Sequence, residues 1–489
     1  MKFSHFCSDK NLRYRWDMDA IVTGPDAEVD RSVRAARAAA ELWRETPIRA
    51  RLRIIRRARR SLAARGLAVA ATLGERRPVA DTLTAELVPL LAAARFLERS
   101  AARLLAPRRL RGGRPLWMVG VTSEIHREPC GVVLIIAPSN YPLFLPGAQL
   151  LQALAAGNAV CVKPAPGCAA PLRALATILA EAGLPEDLLQ LLEESAATGA
   201  AAVAAGFDHI VLTGSAETGR AVLAAAAPGL TPATMELSGN DAVLVLAGAD
   251  VAVVAAALAY GLRLNSGATC IAPRRVFVIR SQAEALALAL LARVAGMELS
   301  PTPAAVAARL ERLVTEALSQ GARLLRGPPT PGAAAPVILA DARPEMQLLQ
   351  EDVFAPWLAF VPVDSMEAAV AALGLCPYAL GASIFGPEAE ARTLARRVPA
   401  GSVCINDLIM PTADPRLPFG GRGRSGFGVT RGAEGLLEMT VVKTVSLRRG
   451  AFRPHLAAAR PGDAARYAAL IALLYAGPRH AWRILRRPR

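Results

Sequence analysis

The chain has 489 residues, 53% of them hydrophobic and 20% charged, and a formal net charge of +16. That length exceeds what one hydrophobic core holds, so two or three domains are expected, and the composition excludes a disordered chain. The charge comes mostly from arginine and no nucleic-acid-binding motif accompanies it, so it reads as a solvated surface and no nucleic-acid partner is expected.

Seven scattered cysteines, none in a C-x-x-C pair, indicate neither a disulfide framework nor a metal site, and they suit a reducing cytoplasm. The opening Met1-Lys-Phe-Ser-His-Phe-Cys7 has no apolar stretch of the secretory type. One uncharged run, residues 130–162, is long enough to invite a membrane span. Pro138, Pro142 and Pro146 interrupt it, with Asn140, Gln149, Gln152 and Asn158, so it reads as strand, loop, helix and strand.

Residues 26–105 read as helices, with Asp26 placed to cap the first and Pro47 opening the second. Arg49, Arg53, Arg56 and Arg60 share one helical stripe and Ile48, Leu52 and Ile55 another, as in an ordinary amphipathic helix. Arg111-Gly-Gly-Arg-Pro115 breaks this region, and residues 117–127 read as extended. From Gly131, strands at 132–136, 159–162, 189–192 and 209–213 alternate with helices at 147–156, 171–182 and about 197–205. Such alternation implies a parallel sheet covered on both faces. A helical run at 251–262 and a strand at 275–279 follow; helices are expected at 282–295 and within 303–323, and a loop at 327–332. Residues 380–385, 402–405 and 440–446 read as strands.

Between the helix at 251–262 and the strand at 275–279 lies Asn265-Ser-Gly-Ala-Thr-Cys270, a turn that can project a thiol into a cleft. The plain alternative is a space-filling cysteine. A cysteine hydrolase pairs its thiol with a histidine, but His5, His126, His209, His455 and His480 stand in no pairing motif. None of the strands from 132 to 213 is followed by the usual G-x-G-x-x-G of a dinucleotide-binding sheet. Instead Thr213-Gly214-Ser215 follows a strand and Glu217-Thr-Gly219 opens a helix, whose free N–H groups suit a pyrophosphate.

Three more stretches fall in order along the chain: Ile136-Ala-Pro138-Ser-Asn140-Tyr141-Pro142, Thr234-Met-Glu236-Leu-Ser-Gly239, and Pro418-Phe-Gly-Gly421 with Ser425-Gly426. With the cysteine turn, they make residues 20–447 resemble the aldehyde dehydrogenase superfamily. The resemblance implies an α/β fold with a Rossmann-like cofactor domain (1–112 and 129–237) and an α/β catalytic domain (238–407). It also implies a small β oligomerisation element (113–128 and 408–447), with a basic tail at 448–489 left over, and a homodimer or homotetramer.

The same resemblance assigns roles. Cys270 attacks an aldehyde, and Asn140 and the Cys270 N–H hold the oxyanion. Hydride passes to NAD or NADP, and Glu236 activates the water that releases the acid. Ile136, Pro138, Lys163, Gly214, Ser215, Gly219, Asp352 and Phe354 fall at cofactor positions. Pro166 replaces the glutamate that often grips the adenosine ribose, which admits NADP, and Asp352 stands where glutamate is usual. Ser139, Ser238 and Ala355 also depart from the pattern.

The rival readings are a CoA-acylating dehydrogenase, which Glu236 opposes, a cysteine hydrolase or acyltransferase, and a non-catalytic homologue. In the tail, residues 465–475 are mostly apolar, with Tyr467, Tyr475 and Trp482 near Arg466, Arg479, Arg483, Arg486, Arg487 and Arg489. This pattern fits peripheral contact with the inner membrane surface and lipophilic aldehydes; packing on the enzyme itself is the alternative.

Overall fold

The runs at 132–136, 159–163 and 209–214 are apolar without alternation, and each strand is buried along nearly its whole length. Burial on both faces is the signature of central parallel strands. The computed structural model describes residues 25–74, 77–115, 118–327, 335–451 and 453–479. There these runs form the middle of a six-stranded sheet in the order Gly426–Phe427, Ala233–Leu237, His209–Gly214, Val132–Ile136, Ala159–Lys163, Leu189–Leu191. All neighbours are parallel except the first pair, in which Gly426 lies opposite Glu236.

Val132–Ile136 is flanked on one side by the next strand in the chain and on the other by a later one, so the winding reverses at its carboxyl end. Ligands of open α/β sheets settle in the crevice at such a switch point. The helix Phe144–Ala156, which follows the same strand, is buried at all thirteen positions. A helix without a polar face is a core helix, which accounts for the uncharged stretch in the sequence.

The second sheet has seven strands in the order Arg323–Arg326, Val337–Ala340, Trp357–Val363, Pro273–Ile279, Asp241–Val245, Gly381–Phe385, Ser402–Ile405. Only its first pair is antiparallel. Ala233–Leu237 closes the first sheet's run of the chain and Asp241–Val245 opens the second, so Glu236 sits at the passage between them.

The chain divides into two compact units, and the larger, residues 25–106 and 127–442, carries both sheets. The smaller, residues 107–126 and 443–479, centres on a three-stranded sheet in the order Arg108–Arg109, Val121–Pro129, Thr440–Arg448. Of the segment 408–447 named above, residues 408–442 belong to the larger unit and only the end of the last strand to the smaller.

Several local expectations shift. Asp26 lies inside the first turn of the helix Pro25–Glu45, not ahead of it. The extended stretch expected at 117–127 is the strand Val121–Pro129, and Trp117 lies outside the described residues. The helix expected within 303–323 is Ala304–Ser319; Gly321 at φ 101° ends it, and Arg323–Arg326 become an edge strand. Most of the loop at 327–332, and Trp482 with Arg483, Arg486, Arg487 and Arg489, fall outside the described residues. Among the described residues no helix is long and apolar enough to cross a membrane, and no cluster of His, Cys, Asp or Glu is set to hold a metal.

Candidate active site

The thiol turn is held by many bonds. Asp250 caps the helix Val251–Arg263, its Oδ1 accepting from Ala252 N at 2.8 Å and Val253 N at 3.2 Å. The chain then passes through three successive left-handed residues, Asn265 (φ 50°), Ser266 (φ 50°) and Gly267 (φ 72°). A non-glycine residue in that region costs on the order of 1–3 kcal/mol, so surrounding contacts must fix it. They do: Asn265 Nδ2 donates to Asn140 O (3.1 Å) and Ala268 O (3.0 Å), and Ser266 Oγ accepts from Ser300 N (2.9 Å). Arg274, fully buried and lying over the Trp357 ring, donates to the carbonyls of Gly267, Ala355 and Trp357. Burial pulls its guanidinium down to about 9. A side chain at Gly267 would strike the Pro356 backbone at 2.6 Å.

Cys270, at the end of this turn, is half-buried and lines two cavities. Burial raises the thiol, and the Glu236 and Asp241 carboxylates raise it further, while Arg431 lowers it. Glu236 projects from the strand Ala233–Leu237 and is 2% exposed. Its Oε2 accepts from Thr430 Oγ1 at 2.9 Å and its Oε1 meets no protein donor. Burial pushes this carboxyl up, against the pull of Arg431 and Thr430. It lines both cavities with the thiol.

Asn140 follows the switch-point strand. Its Oδ1 accepts from Tyr141 N (2.9 Å) and its Nδ2 donates to Ala268 O (3.2 Å), so one amide hydrogen ties it to the thiol turn. A primary amide has a second N–H. Behind it Tyr141 OH meets Thr269 Oγ1 at 2.6 Å, and Arg77 lies over the Tyr141 ring and donates to Asn140 O at 2.6 Å. The fully buried Glu86 binds Arg77 at 2.9 Å and accepts from Leu143 N and Phe144 N, which start the core helix Phe144–Ala156. A carboxylate there satisfies free N–H groups and complements the helix dipole. A π-helical turn, Leu83–Leu87, sets Glu86 in that place.

The first cavity, about 390 Å³, is lined by Pro138, Asn140, Gly214, Ser215, Ser238, Asp352 and Phe354 around Cys270 and Glu236. Ser215 caps the helix Ala216–Ala226, its Oγ accepting from Thr218 N at 3.1 Å. A Cβ at Gly219 would come within 2.8 Å of a Leu237 methyl, so a side chain there would require that leucine to move. A capped helix N-terminus at the carboxyl end of a parallel sheet suits a dinucleotide pyrophosphate. Asp352 Oδ1 accepts from Tyr378 OH at 3.0 Å, with Arg309 at 3.9 Å. Ile136, Lys163 and Gly219 do not line this cavity. Lys163 pairs in register with Ile136 at the carboxyl ends of their strands and is buried, which lowers its ammonium.

The second cavity, about 250 Å³, opens on the other side of the thiol and is walled by Tyr141, Phe144, Leu145, Tyr260, Ile409 and Phe419. The sequence reading gave none of these a role, although Tyr141 and Phe419 stand inside its motifs, and it named neither Thr430 nor Arg431. Aromatic and branched residues there look like any core residue in a sequence. The Val429-Thr430-Arg431-Gly432 run, just after the expected Ser425-Gly426 pair, carried the only local signal, an arginine in a glycine-rich turn.

A single thiol and a buried carboxylate are thus shared by a dinucleotide-type cleft and an apolar cavity. The chain belongs to the aldehyde dehydrogenase family, whose model matches residues 18–445, and it is an NAD(P)-dependent aldehyde dehydrogenase. It is 33% identical over 431 residues to 4,4'-diapolycopene aldehyde oxidase of Methylomonas sp, covering 85% of this chain and 80% of that protein. A Mycobacterium tuberculosis aldehyde dehydrogenase solved with NAD+ superposes with a TM-score of 0.80 at 29% identity, over 88% of this chain and 92% of that one. An NADP-dependent glyceraldehyde-3-phosphate dehydrogenase from Bacillus halodurans, solved with NADP, gives 0.81 at 28% identity, over 86% and 91%.

Proposed function

We propose that this enzyme oxidises an apolar aldehyde to its carboxylic acid, with Cys270 as nucleophile, Glu236 as general base and Asn140 as an oxyanion donor. The observation that carries this reading is that Cys270 and Glu236 alone join the polar cleft to the apolar cavity among the residues assigned from sequence. Cys270 Sγ adds to the aldehyde carbon, and the second N–H of Asn140 with the Cys270 N–H receives the oxyanion. Such donors are worth about 3–4 kcal/mol each. Bound NAD(P)+ supplies the hydride acceptor. Cys270 then holds the acyl group as a thioester, and Glu236 takes a proton from the water that cleaves it. Pro138, Gly214, Ser215, Asp352 and Phe354 would hold the cofactor, together with Ile136, Lys163 and Gly219, which do not line the cavity.

The apolar wall supports a substrate without a charged end, and the similarity to a diapolycopene aldehyde oxidase points the same way. A panel of soluble, aromatic and long-chain aldehydes, followed by reduced-nicotinamide absorbance and acid product, tests it. Faster turnover of short polar aldehydes than of every apolar one rejects the substrate class.

The small unit is the proposed site of assembly into a homodimer or homotetramer: its part of the edge strand Thr440–Arg448 exposes Val445 and Leu447. The helix Asp463–Tyr475 buries Ala469 and Ala472 and exposes Tyr467, Leu470, Ile471 and Tyr475 beside Arg466 and Arg479. Its three turns are too short for a bilayer of about 30 Å, and an apolar face beside arginines supports a seat on anionic lipid at the inner membrane surface of the cytoplasm. Truncation after residue 449 should abolish sedimentation with anionic vesicles and leave turnover of a short soluble aldehyde within about twofold, ~0.4 kcal/mol. Equal vesicle binding by the truncated and full chains rejects the membrane seat.

A further inference from the structure

Two arginines line the apolar cavity. Arg263 is at the surface and pairs with Asp81 at 3.4 Å. Arg431 is 5% exposed, on the wall that also carries Cys270 and Glu236. Its guanidinium lies over the Phe419 ring, 4.4 Å from the centroid, with Phe144 at 5.6 Å. Nη1 donates to Thr412 O at 2.6 Å, while the buried Nε meets no acceptor. The preceding residue, Thr430, grips the Glu236 carboxylate. The Arg431 backbone stands at φ 61°, ψ 178°, a region used almost only by glycine, and is pinned by a bond from its N–H to Gln152 Oε1 at 3.1 Å.

Structure alone gives no reason for that arrangement. A buried guanidinium with an unmet N–H destabilises a fold, as does a non-glycine residue in such a conformation, and glycine with an apolar side chain nearby would remove both costs. Strain of this kind collects where function needs it.

We propose that Arg431 is a positioning residue for the reaction: its buried guanidinium supplies the positive charge against which the Cys270 thiolate forms and which keeps the Glu236 carboxylate ionised until it acts as base. The proposal rests on the roles given above to Cys270 and Glu236. Arg431 exchanges no proton itself. The titratable groups that face the thiol are Glu236, Asp241, Tyr141 and Arg431; Arg274 and Arg275 face Asp241, and Arg77 and Glu86 lie behind Tyr141. Of the charged side chains acting on the thiol, only Arg431 favours its anion, alongside a backbone hydrogen bond at Cys270; the two carboxylates and burial oppose it. The same charge is the main one opposing protonation of Glu236.

The test compares Cys270 alkylation by iodoacetamide, without cofactor, in Glu236→Gln and in Glu236→Gln/Arg431→Met. The double variant removes a buried cation and a buried anion together, so it folds even where Arg431→Met alone does not; melting temperature and cofactor binding verify this. At about pH 8, alkylation should slow by roughly tenfold or more, one pH unit of thiolate availability. Arg431→Lys on the Glu236→Gln background, which keeps the charge and loses the fork, should restore most of the rate. With Glu236 intact, Arg431→Met should move the acid limb of the kcat profile to higher pH. Equal alkylation rates with arginine, lysine and methionine at 431 overturn the proposal. Cys270→Ala separates the two readings: label or turnover surviving in it overturns the assignment of the thiol, whereas a dead Cys270→Ala beside unaffected Arg431 variants overturns only the role of Arg431.

Discussion

The two cavities that meet at Cys270 are built in opposite ways. The cofactor side is made of strand ends: Pro138 and Asn140 after Val132–Ile136, Gly214 and Ser215 at the end of His209–Gly214, Ser238 after Ala233–Leu237. The substrate side is made of side chains drawn from helices and loops far apart in sequence, among them Thr84, Phe144, Tyr260, Ile409 and Phe419. Phosphate and ribose need N–H groups and short polar residues at fixed backbone positions, so that cavity writes itself into short local motifs. An apolar wall needs only bulk and shape, which many residues supply. Chemistry is therefore concentrated in few positions and substrate choice is dispersed over many.

The sharpest break removes the group common to both sides. Cys270→Ala should lower kcat by at least about a thousandfold, ~4 kcal/mol of barrier, while binding of NAD or NADP, read by fluorescence titration, stays within a few-fold. Near-normal turnover in that variant would reject the thiol mechanism outright.

Glu236→Gln should slow steady turnover by roughly 10²–10⁴, the usual worth of a general base. Rapid mixing should still show a burst of reduced nicotinamide, because acylation precedes the step that needs the carboxylate. Burial raises the folded-state pKa of Glu236, so in the parent the base is lost as pH falls through that raised value, and kcat should decline on the acid side earlier than for an ordinary glutamate. Simultaneous loss of burst and turnover would assign Glu236 to acylation.

On the cofactor side alone, NADP should serve within about tenfold of NAD, ~1.4 kcal/mol, since Pro166 presents no carboxylate to a 2′-phosphate. Pro166→Glu should shift kcat/KM toward NAD by a similar factor without altering the ranking of aldehydes. A parent that uses NAD only counts against this.

On the substrate side alone, each methylene added to a straight-chain aldehyde should raise kcat/KM by about fourfold until the cavity is filled, from ~0.8 kcal/mol per buried CH₂. A flat series would mean that the chain lies outside the cavity walled by Tyr141, Phe144 and Phe419.

The same contrast explains what the sequence revealed. The parallel strands were legible because unbroken apolar runs between glycines and prolines have few other readings, and Cys270, Glu236 and Asn140 because each stands in a short motif. Pro138, Gly214, Ser215, Asp352 and Phe354 do meet around the thiol. Lys163, Gly219 and Ile136 do not line that cavity, a distinction that spacing along a chain does not carry. Arg431 was hidden because its meaning depends on burial, and an arginine in a glycine-rich turn reads as exposed. Glu86 was hidden for a related reason: its partners, Leu143 N and Phe144 N, belong to another helix.

The π-helical turn at Leu83–Leu87 sets a limit on how the length of this chain can vary. Surface loops absorb an inserted or deleted residue at little cost, but this turn is itself one residue of surplus inside a helical stretch. Losing one residue between 83 and 87 would let the stretch relax to regular α-helix with its flanks nearly in register, so the change would fall on the side chains of the turn itself. Asp81 and Thr84 line the apolar cavity from one half and Pro89 from the other, while Glu86 holds the start of the core helix from between them. A single codon deleted there would therefore displace Glu86 and loosen the anchor behind Asn140, without touching a reacting atom.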